Sequence, residues 1–434
     1  MIGFAGLSHL GIIYSVASAS KGHVVAGYDG NSALCAALQK GELPVYEPGL
    51  EDLLTANKGS INFTDNIQVI AECGLIFLSI DIPTENDGES DLTPLNSLAE
   101  KVISSAKPGT TIVVLSQVPP GYTRKLAGSL ESQSTQKDIS LFYQVETLVF
   151  GSAVQRALEP ERIIVGAPES DRVFPETYNH WLTSFDCPVL PMAYESAELT
   201  KLAINVMLTS SVSATNTLAE LCQAIGADWH EIIPALRLDR RIGPYAYLSP
   251  GLGLSGGNLE RDLATIIELS KDSGTDNAVI ESYLSNSRHC RDWVLKTLHA
   301  HSHKLGSDPV VAVWGLAYKP DTDSVKNSPA MDLIANLTAF TVQAYDPQAH
   351  LNGAGPANTR EVGDPLDACD GAQVLVAMTP WKQFSQVDLN QVKKRMAGQV
   401  IIDPLGILDQ SACLDAGFTY ARLGRPIQFP KASV

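Results

Sequence analysis

The amino terminus most constrains the fold. Residues 2–7 are apolar and few, as in a buried parallel strand. They run into Gly6-Leu7-Ser8-His9-Leu10-Gly11 and a helical stretch to about residue 20, and a second strand follows over residues 23–29. Strand, glycine turn, helix, strand and a closing acid, Asp29, make the layout of a dinucleotide-binding βαβ unit. Gly6, Ser8, His9, Leu10, Gly11 and Asp29 are therefore the first cofactor-binding candidates. Ser8 stands where the fingerprint has its second glycine, the position that lets backbone approach a pyrophosphate, so it loosens or reshapes that contact. The Asp29 carboxylate suits the adenine ribose hydroxyls and would repel a 2′-phosphate, which favours NAD over NADP.

Further strand-like runs cover residues 74–80, 111–116 and 162–166. With helical stretches between them they predict a doubly wound α/β domain to about residue 190. Ligands in such sheets sit at the carboxyl ends of strands. The polar loops 83–88 and 116–121 are expected to line the cofactor cleft, with Ser116 and Gln117 among its contacts.

Residues 196–225 contain neither Gly nor Pro and carry apolar residues at helical spacing. They predict one helix, roughly 45 Å long, that joins two domains and offers a dimer surface. Lys201 and Asn205 lie four apart, on one face; that face is either solvated or part of a site. Residues 247–262 then concentrate glycine, with four glycines and two serines among residues 249–257. Glycine at that density marks tight bends or close approach. Read alone, the stretch is a flexible linker or a substrate loop at a domain junction. It ends in the charged pair Arg261-Asp262, with a helical pattern expected from Leu263. Strand-like runs at 309–317, 341–346, 372–378 and 399–403, with a turn at 318–323 and a helix near 329–337, predict a second α/β domain. The expected fold is α/β: two Rossmann-like doubly wound domains joined by a long central helix. The expected division is 1–192 for the dinucleotide, 193–304 for the central helical dimerisation region with its substrate loop, and 305–434 for the second α/β domain.

Across the 434 residues the formal charge is −17. Such a balance argues against nucleic acid or an anionic membrane as partner; a phosphorylated ligand would need local cations. The seven cysteines are scattered, with no C-x-x-C pair, which argues against a disulfide framework or a zinc site and for a reducing compartment. Residues 1–20 carry no charge and so lack the positive start of a signal peptide. No other apolar run is long enough to span a bilayer. The expectation is a cytoplasmic protein.

Several motifs sit in one order along the chain: Glu47-Pro48-Gly49-Leu50, Asp87-Gly88 with Asp91-Leu92, Gly151-Ser152-Ala153, Glu195 through Lys201, Asp239-Arg240-Arg241-Ile242-Gly243, Gly315 through Pro320, and Tyr345-Asp346-Pro347. In this the sequence resembles the UDP-glucose/GDP-mannose dehydrogenase family over nearly its whole length. That family oxidises the C6 alcohol of a nucleotide sugar to a carboxylate in two NAD-dependent hydride transfers. The resemblance implies that Lys201 and Asn205 bind the reacting oxygen, with Glu146 and Asp262 completing the catalytic set. It implies Arg241 reaching the sugar from a neighbouring subunit, and Lys319 on the substrate. Tyr247, Leu248, Gly253, Gly257, Asn258 and Tyr318 join the substrate-binding candidates, and Lys326 the cofactor set. The chemistry needs such groups in any case: a hydride leaves an alcohol carbon only as the hydroxyl proton is removed, and a cation stabilises the developing alkoxide.

The departures from the family pattern are local. The family's Gly-Gly-Ser-Cys-Phe-Pro-Lys-Asp loop matches Ser255 through Asp262 here, which puts Asn258 in place of the nucleophilic cysteine. An amide cannot form the thiohemiacetal from which the second hydride departs. The family's Ser-Thr-Val-Pro is Ser116-Gln117-Val118-Pro119, its glutamate motif is residues 144–151, an arginine is Lys326, and a late Asp-Gly-Arg is Asp403-Pro404-Leu405. The leading expectation is an NAD-dependent oxidoreductase that oxidises an alcohol once, on a nucleotide sugar or another phosphorylated alcohol, as a homodimer. The alternatives are a non-redox protein that binds nucleotide sugar or NAD, and a redox-neutral epimerase.

Overall fold

The structure is a computed structural model that describes residues 1–82, 90–132, 138–171, 173–301, 309–353 and 355–430. The chain forms two compact units, Met1–Ile204 and Asn205–Val434.

The first unit is built on eight strands: β1 (Ile2–Ala5), β2 (Val25–Tyr28), β3 (Ile61–Thr64), β4 (Leu75–Leu78), β5 (Thr111–Val114), β6 (Ser140–Gln144), β7 (Ile163–Ala167) and β8 (Val189–Ala193). Their order in the sheet is β3-β2-β1-β4-β5-β6-β7-β8. The order reverses at β1, which pairs in parallel with both β2 and β4. That is the switch point where doubly wound sheets open a crevice for ligands. Alternate side chains of each strand enter different cores, as the period of two requires. Phe4, Phe77, Val113, Phe142 and Val165 join helix His9–Ser20 and helix Glu176–Thr183 on one face. Ala5, Ile76, Leu78, Ile112 and Val114 join helix Thr93–Ser105 on the other. Burying each large apolar side chain contributes about 1.5–3 kcal/mol.

Two features depart from the sequence reading. β6 and β7 run antiparallel, so the sheet is mixed rather than wholly parallel. Strands β3, β6 and β8 were not expected; β8 carries Pro191 and is half exposed, so its only strand signal is its pairing with β7.

Helix Tyr194–Ile225 is one unbroken helix of 32 residues, about 48 Å by its rise. It stops at Gly226, whose φ of +81° lets the chain turn away in the left-handed region. The second unit continues with helices Trp229–Leu238, Asn258–Ser273, Ala278–Arg291 and Trp293–His301. Its sheet comprises β9 (Val310–Trp314), β10 (Thr341–Tyr345), β11 (Thr359–Glu361), β12 (Val374–Ala377), β13 (Val400–Ile402) and β14 (Thr419–Ala421), in the order β11-β10-β9-β12-β13-β14. Every pair in it is parallel. Among the described residues no helix is long and apolar enough to cross a membrane.

Candidate active site

In the first unit the cofactor candidates converge on the switch point. Gly6 has φ of +94°, and a Cβ at Gly11 would lie 1.8 Å from the Gly6 carbonyl oxygen. Both glycines are required by the backbone, one for the turn and one for the packing of the helix on it. Asp29 stands just past β2. Its Oδ2 accepts the Leu7 N–H at 3.0 Å and its Oδ1 the Asn31 N–H at 2.9 Å. It is only half buried, so lone pairs remain for a ribose diol. His9 Nε2 lies 2.8 Å from Glu47 Oε1, and the buried Glu47 carboxylate also accepts the N–H groups of Gly151 and Ala153. Two motifs distant in sequence thus meet through one carboxylate. Leu10 N–H, in the first turn of helix His9–Ser20, donates to Asp81 Oδ2 at 3.4 Å. The Ser8 hydroxyl does not cap that helix; it accepts the Asp81 N–H at 2.8 Å and donates to the Ser79 carbonyl. Ser116 is buried and donates to the Ile80 carbonyl at 2.6 Å, which joins the end of β5 to the end of β4. Gln117, beside it, is half buried. The loop after them is held from the long helix. Glu198 accepts the N–H groups of Gly121 and Thr123 at 2.6 and 2.8 Å, and burial pushes its carboxyl up. The loop 83–88, with Asp87-Gly88, lies outside the described residues.

One turn beyond Glu198, Lys201 Nζ donates to the Glu146 carbonyl at 3.0 Å and to Glu146 Oε2 at 3.1 Å. Glu146 also accepts the Leu148 N–H. Both side chains are about 15% exposed. Among the described residues two of the three ammonium hydrogens are engaged, which leaves a third for an oxygen.

The second unit holds the other members. Asn205 Nδ2 donates to Asp262 Oδ2 at 2.5 Å, and Arg261 Nε pairs with Asp262 Oδ1 at 3.1 Å. Arg261 and Asp262 are buried, at 8% and 1% exposure. This corrects the expected helix start: helix Asn258–Ser273 begins at Asn258, with Gly257 as its cap, so Arg261-Asp262 lies inside the first turns. Asn and early acids such as Glu260 suit a helix start, and the pair turns inward because the two charges satisfy each other. Asn258 is the first helical residue and is exposed.

The glycine loop is fitted rather than slack. A Cβ at Gly253 would lie 2.4 Å from the Ser287 carbonyl oxygen, one at Gly256 would meet the Tyr318 ring at 3.0 Å, and one at Gly257 would meet the Lys326 side chain at 3.2 Å. Asn327 Nδ2 donates to the Gly256 carbonyl and to Glu260 Oε2, while Arg291 binds the Leu254 carbonyl and Glu260 Oε1. The flexible-linker reading therefore falls. Lys319 Nζ sits 5.7 Å over the Tyr318 ring. Tyr247 is exposed, its carbonyl bonded by Ser211 and Thr215; Leu248 is buried, its carbonyl bonded by Trp229 Nε1. Arg241 is exposed and paired with Asp239. Sequence reading did not single out Asp81, Glu198, Glu260, Arg291 or Asn327 as site residues. Their partners lie 31 to 77 residues away, so only the fold pairs them.

Three models of one family match this chain in order. The NAD-binding domain of the UDP-glucose/GDP-mannose dehydrogenase family matches residues 1–182, its central domain residues 195–288 and its UDP-binding domain residues 312–410. The chain belongs to the UDP-glucose/GDP-mannose dehydrogenase family, and the first of these domains indicates NAD as the cofactor. Among its relatives are proteins named UDP-glucose 6-dehydrogenase from Rhizobium meliloti, 28% identical over 97% of this chain and 98% of the relative, and from Pseudomonas aeruginosa, 27% identical over 97% and 96%. A solved UDP-glucose dehydrogenase from Pyrobaculum islandicum superimposes with a TM-score of 0.84 at 26% identity, covering 98% of this chain and 97% of that one. A UDP-D-ManNAc dehydrogenase from Pyrococcus horikoshii shares the fold at 23% identity, with a TM-score of 0.82 over 98% and 99% of the two chains.

Proposed function

We propose that the chain is an NAD-dependent dehydrogenase that oxidises one alcohol of a nucleotide sugar once and releases a carbonyl product. The observation that carries this reading is the exposed amide of Asn258 at the head of its helix, while Lys201 and Asn205 keep their carboxylate partners. Bound NAD supplies a hydride acceptor. The chain supplies the rest. The Lys201 ammonium, held by Glu146, gives its remaining N–H to the alcohol oxygen and stabilises negative charge there. Asp262, held by Asn205 and Arg261, takes part in removing the hydroxyl proton through water. A covalent second step needs a thiolate. The seven cysteines all lie outside the loop, and burial pushes Cys290 and Cys73 up to about 11.

The UDP-binding domain match supports a nucleotide-sugar substrate. We take the functional division to be residues 1–192 for cofactor, 193–304 for dimerisation and the substrate loop, and 305–434 for the nucleotide. We further take the protein to be a cytoplasmic homodimer, with Arg241 serving the partner's site. NADH formed per molecule of limiting UDP-glucose, run beside a panel of nucleotide sugars, tests the reading. One equivalent supports it and two overturn it. None across the panel, with NAD bound, favours another alcohol or redox-neutral epimerisation. None without NAD binding favours a non-redox role.

A further inference from the structure

The first turn of helix His9–Ser20 carries backbone N–H groups that no residue of the helix can satisfy, and in a dinucleotide fold they face the pyrophosphate. In this chain one of them already has an anion. Asp81 Oδ2 takes the Leu10 N–H at 3.4 Å. Asp81 does not stand there by itself. Its own N–H is bonded to Ser8 Oγ at 2.8 Å, and the Ser8 hydroxyl donates to the Ser79 carbonyl just past β4. Ser8 is the residue at the second-glycine position, so the serine that stands in for that glycine also fixes the carboxylate beside the helix start. Asp29, the candidate for the ribose, is separate, with its own partners at Leu7 and Asn31.

We propose that Asp81, pinned by Ser8, occupies the anion seat of the cofactor loop and sets the affinity for the dinucleotide by opposing its pyrophosphate. The proposal rests on NAD being the cofactor. A pyrophosphate must displace the carboxylate from Leu10 or bind against its charge, and like charges a few ångströms apart repel even near a surface. The adenosine half is not opposed in this way. Asp81 therefore acts on affinity through charge, and Ser8 acts through Asp81 as a positioning residue.

Calorimetric dissociation constants of the full chain for ADP-ribose and for adenosine test this, with Asp81→Asn and Ser8→Gly beside the parent. Asparagine keeps the shape and an acceptor for the Leu10 N–H, and it is a good helix cap; circular dichroism confirms that the variant folds. The expected result is that Asp81→Asn binds ADP-ribose at least about tenfold tighter with adenosine unchanged. Ser8→Gly moves ADP-ribose the same way by less. The gap between parent and Asp81→Asn should narrow as salt rises. ADP-ribose binding unchanged or weakened in Asp81→Asn would overturn the proposal and leave Asp81 as a helix cap. Equal tightening of adenosine would overturn it too. Failure of ADP-ribose to bind either protein would remove the cofactor reading, and the proposal with it.

Discussion

At the scale of single residues, the proposed single oxidation turns on position 258. Asn258 opens a helix of 16 residues and is exposed. A thiol there would stand at the positive end of the helix dipole, which lowers thiol pKa. Asn258→Cys is therefore expected to be alkylated by iodoacetamide at neutral pH faster than any native cysteine, and to raise the NADH yield per nucleotide sugar from one towards two. Stoichiometry and mass spectrometry read both effects; a yield that stays at one after labelling at residue 258 would mean that the rest of the pocket also blocks the second step. The sequence reading reached this residue by aligning Ser255–Asp262 with the family's eight-residue loop, of which Gly256 and Asp262 are kept. The surroundings were not legible. Placing the helix start at Leu263 missed that Gly257 ends the loop, since the charged pair Arg261-Asp262 read as the loop's end and its burial is seen only in the structure. Asp81 left no local signal either: its partner Leu10 is 71 residues away, across the turn that joins β1 to its helix.

At the scale of elements, the same device is built twice and used differently. After β2, Asp29 reaches back to the N–H of Leu7 in the turn after β1. After β10, Asp346 reaches back to the N–H groups of Leu316 and Ala317 in the turn after β9, at 2.7 and 3.0 Å. Asp346 also takes Gln348, Ala349 and the Trp381 indole and is 5% exposed. Removing it strands five donors. Asp346→Ala is expected to cost at least about 3 kcal/mol of stability, whereas Asp29→Ala should shift the melting temperature little and weaken NAD binding. Urea unfolding and calorimetry separate the two. The long helix makes its own prediction. Met207, Leu218, Leu221 and Ile225 are exposed and fall on one side of it by their spacing. Leu221→Asp is expected to shift a dimer towards monomer in sedimentation velocity; a parent already monomeric would count against the dimer. The strands that the sequence announced are the central ones, where both faces are buried and the run is continuously apolar. Those it hid include β11 and β14, of three residues each, β3, which alternates with polar residues, and the interior strand β6, whose run Ser140–Gln144 is polar at both ends. Their strand character comes from pairing. The antiparallel β6–β7 step is a matter of chain path, for which no residue is a marker.

At the scale of the whole molecule, each unit carries a histidine that burial holds below its usual value. His23 lies in the first unit beside His180 and Ser184; His230 lies in the second beside Asp228 and near Arg422. A depressed imidazole favours the folded state while it is neutral. The associated stability is complete above about pH 6.5, the unfolded value, and is lost as pH falls through the lower native values. Unfolding measured at pH 7.5 and 5.5 should show lower stability at the acid pH. His23→Gln and His230→Gln should each shrink that difference, and an undiminished difference in both would assign the acid loss to other groups.

The two sheets also differ in what they leave open to a guest. A carboxylate has about four acceptor sites, and Asp346 meets five donors from its own chain. Asp29 meets two. The second sheet thus repeats the architecture of a dinucleotide site with no acceptor left for a ribose. Titrated with NAD, the protein should saturate at one mole per mole of chain, although its topology was written twice.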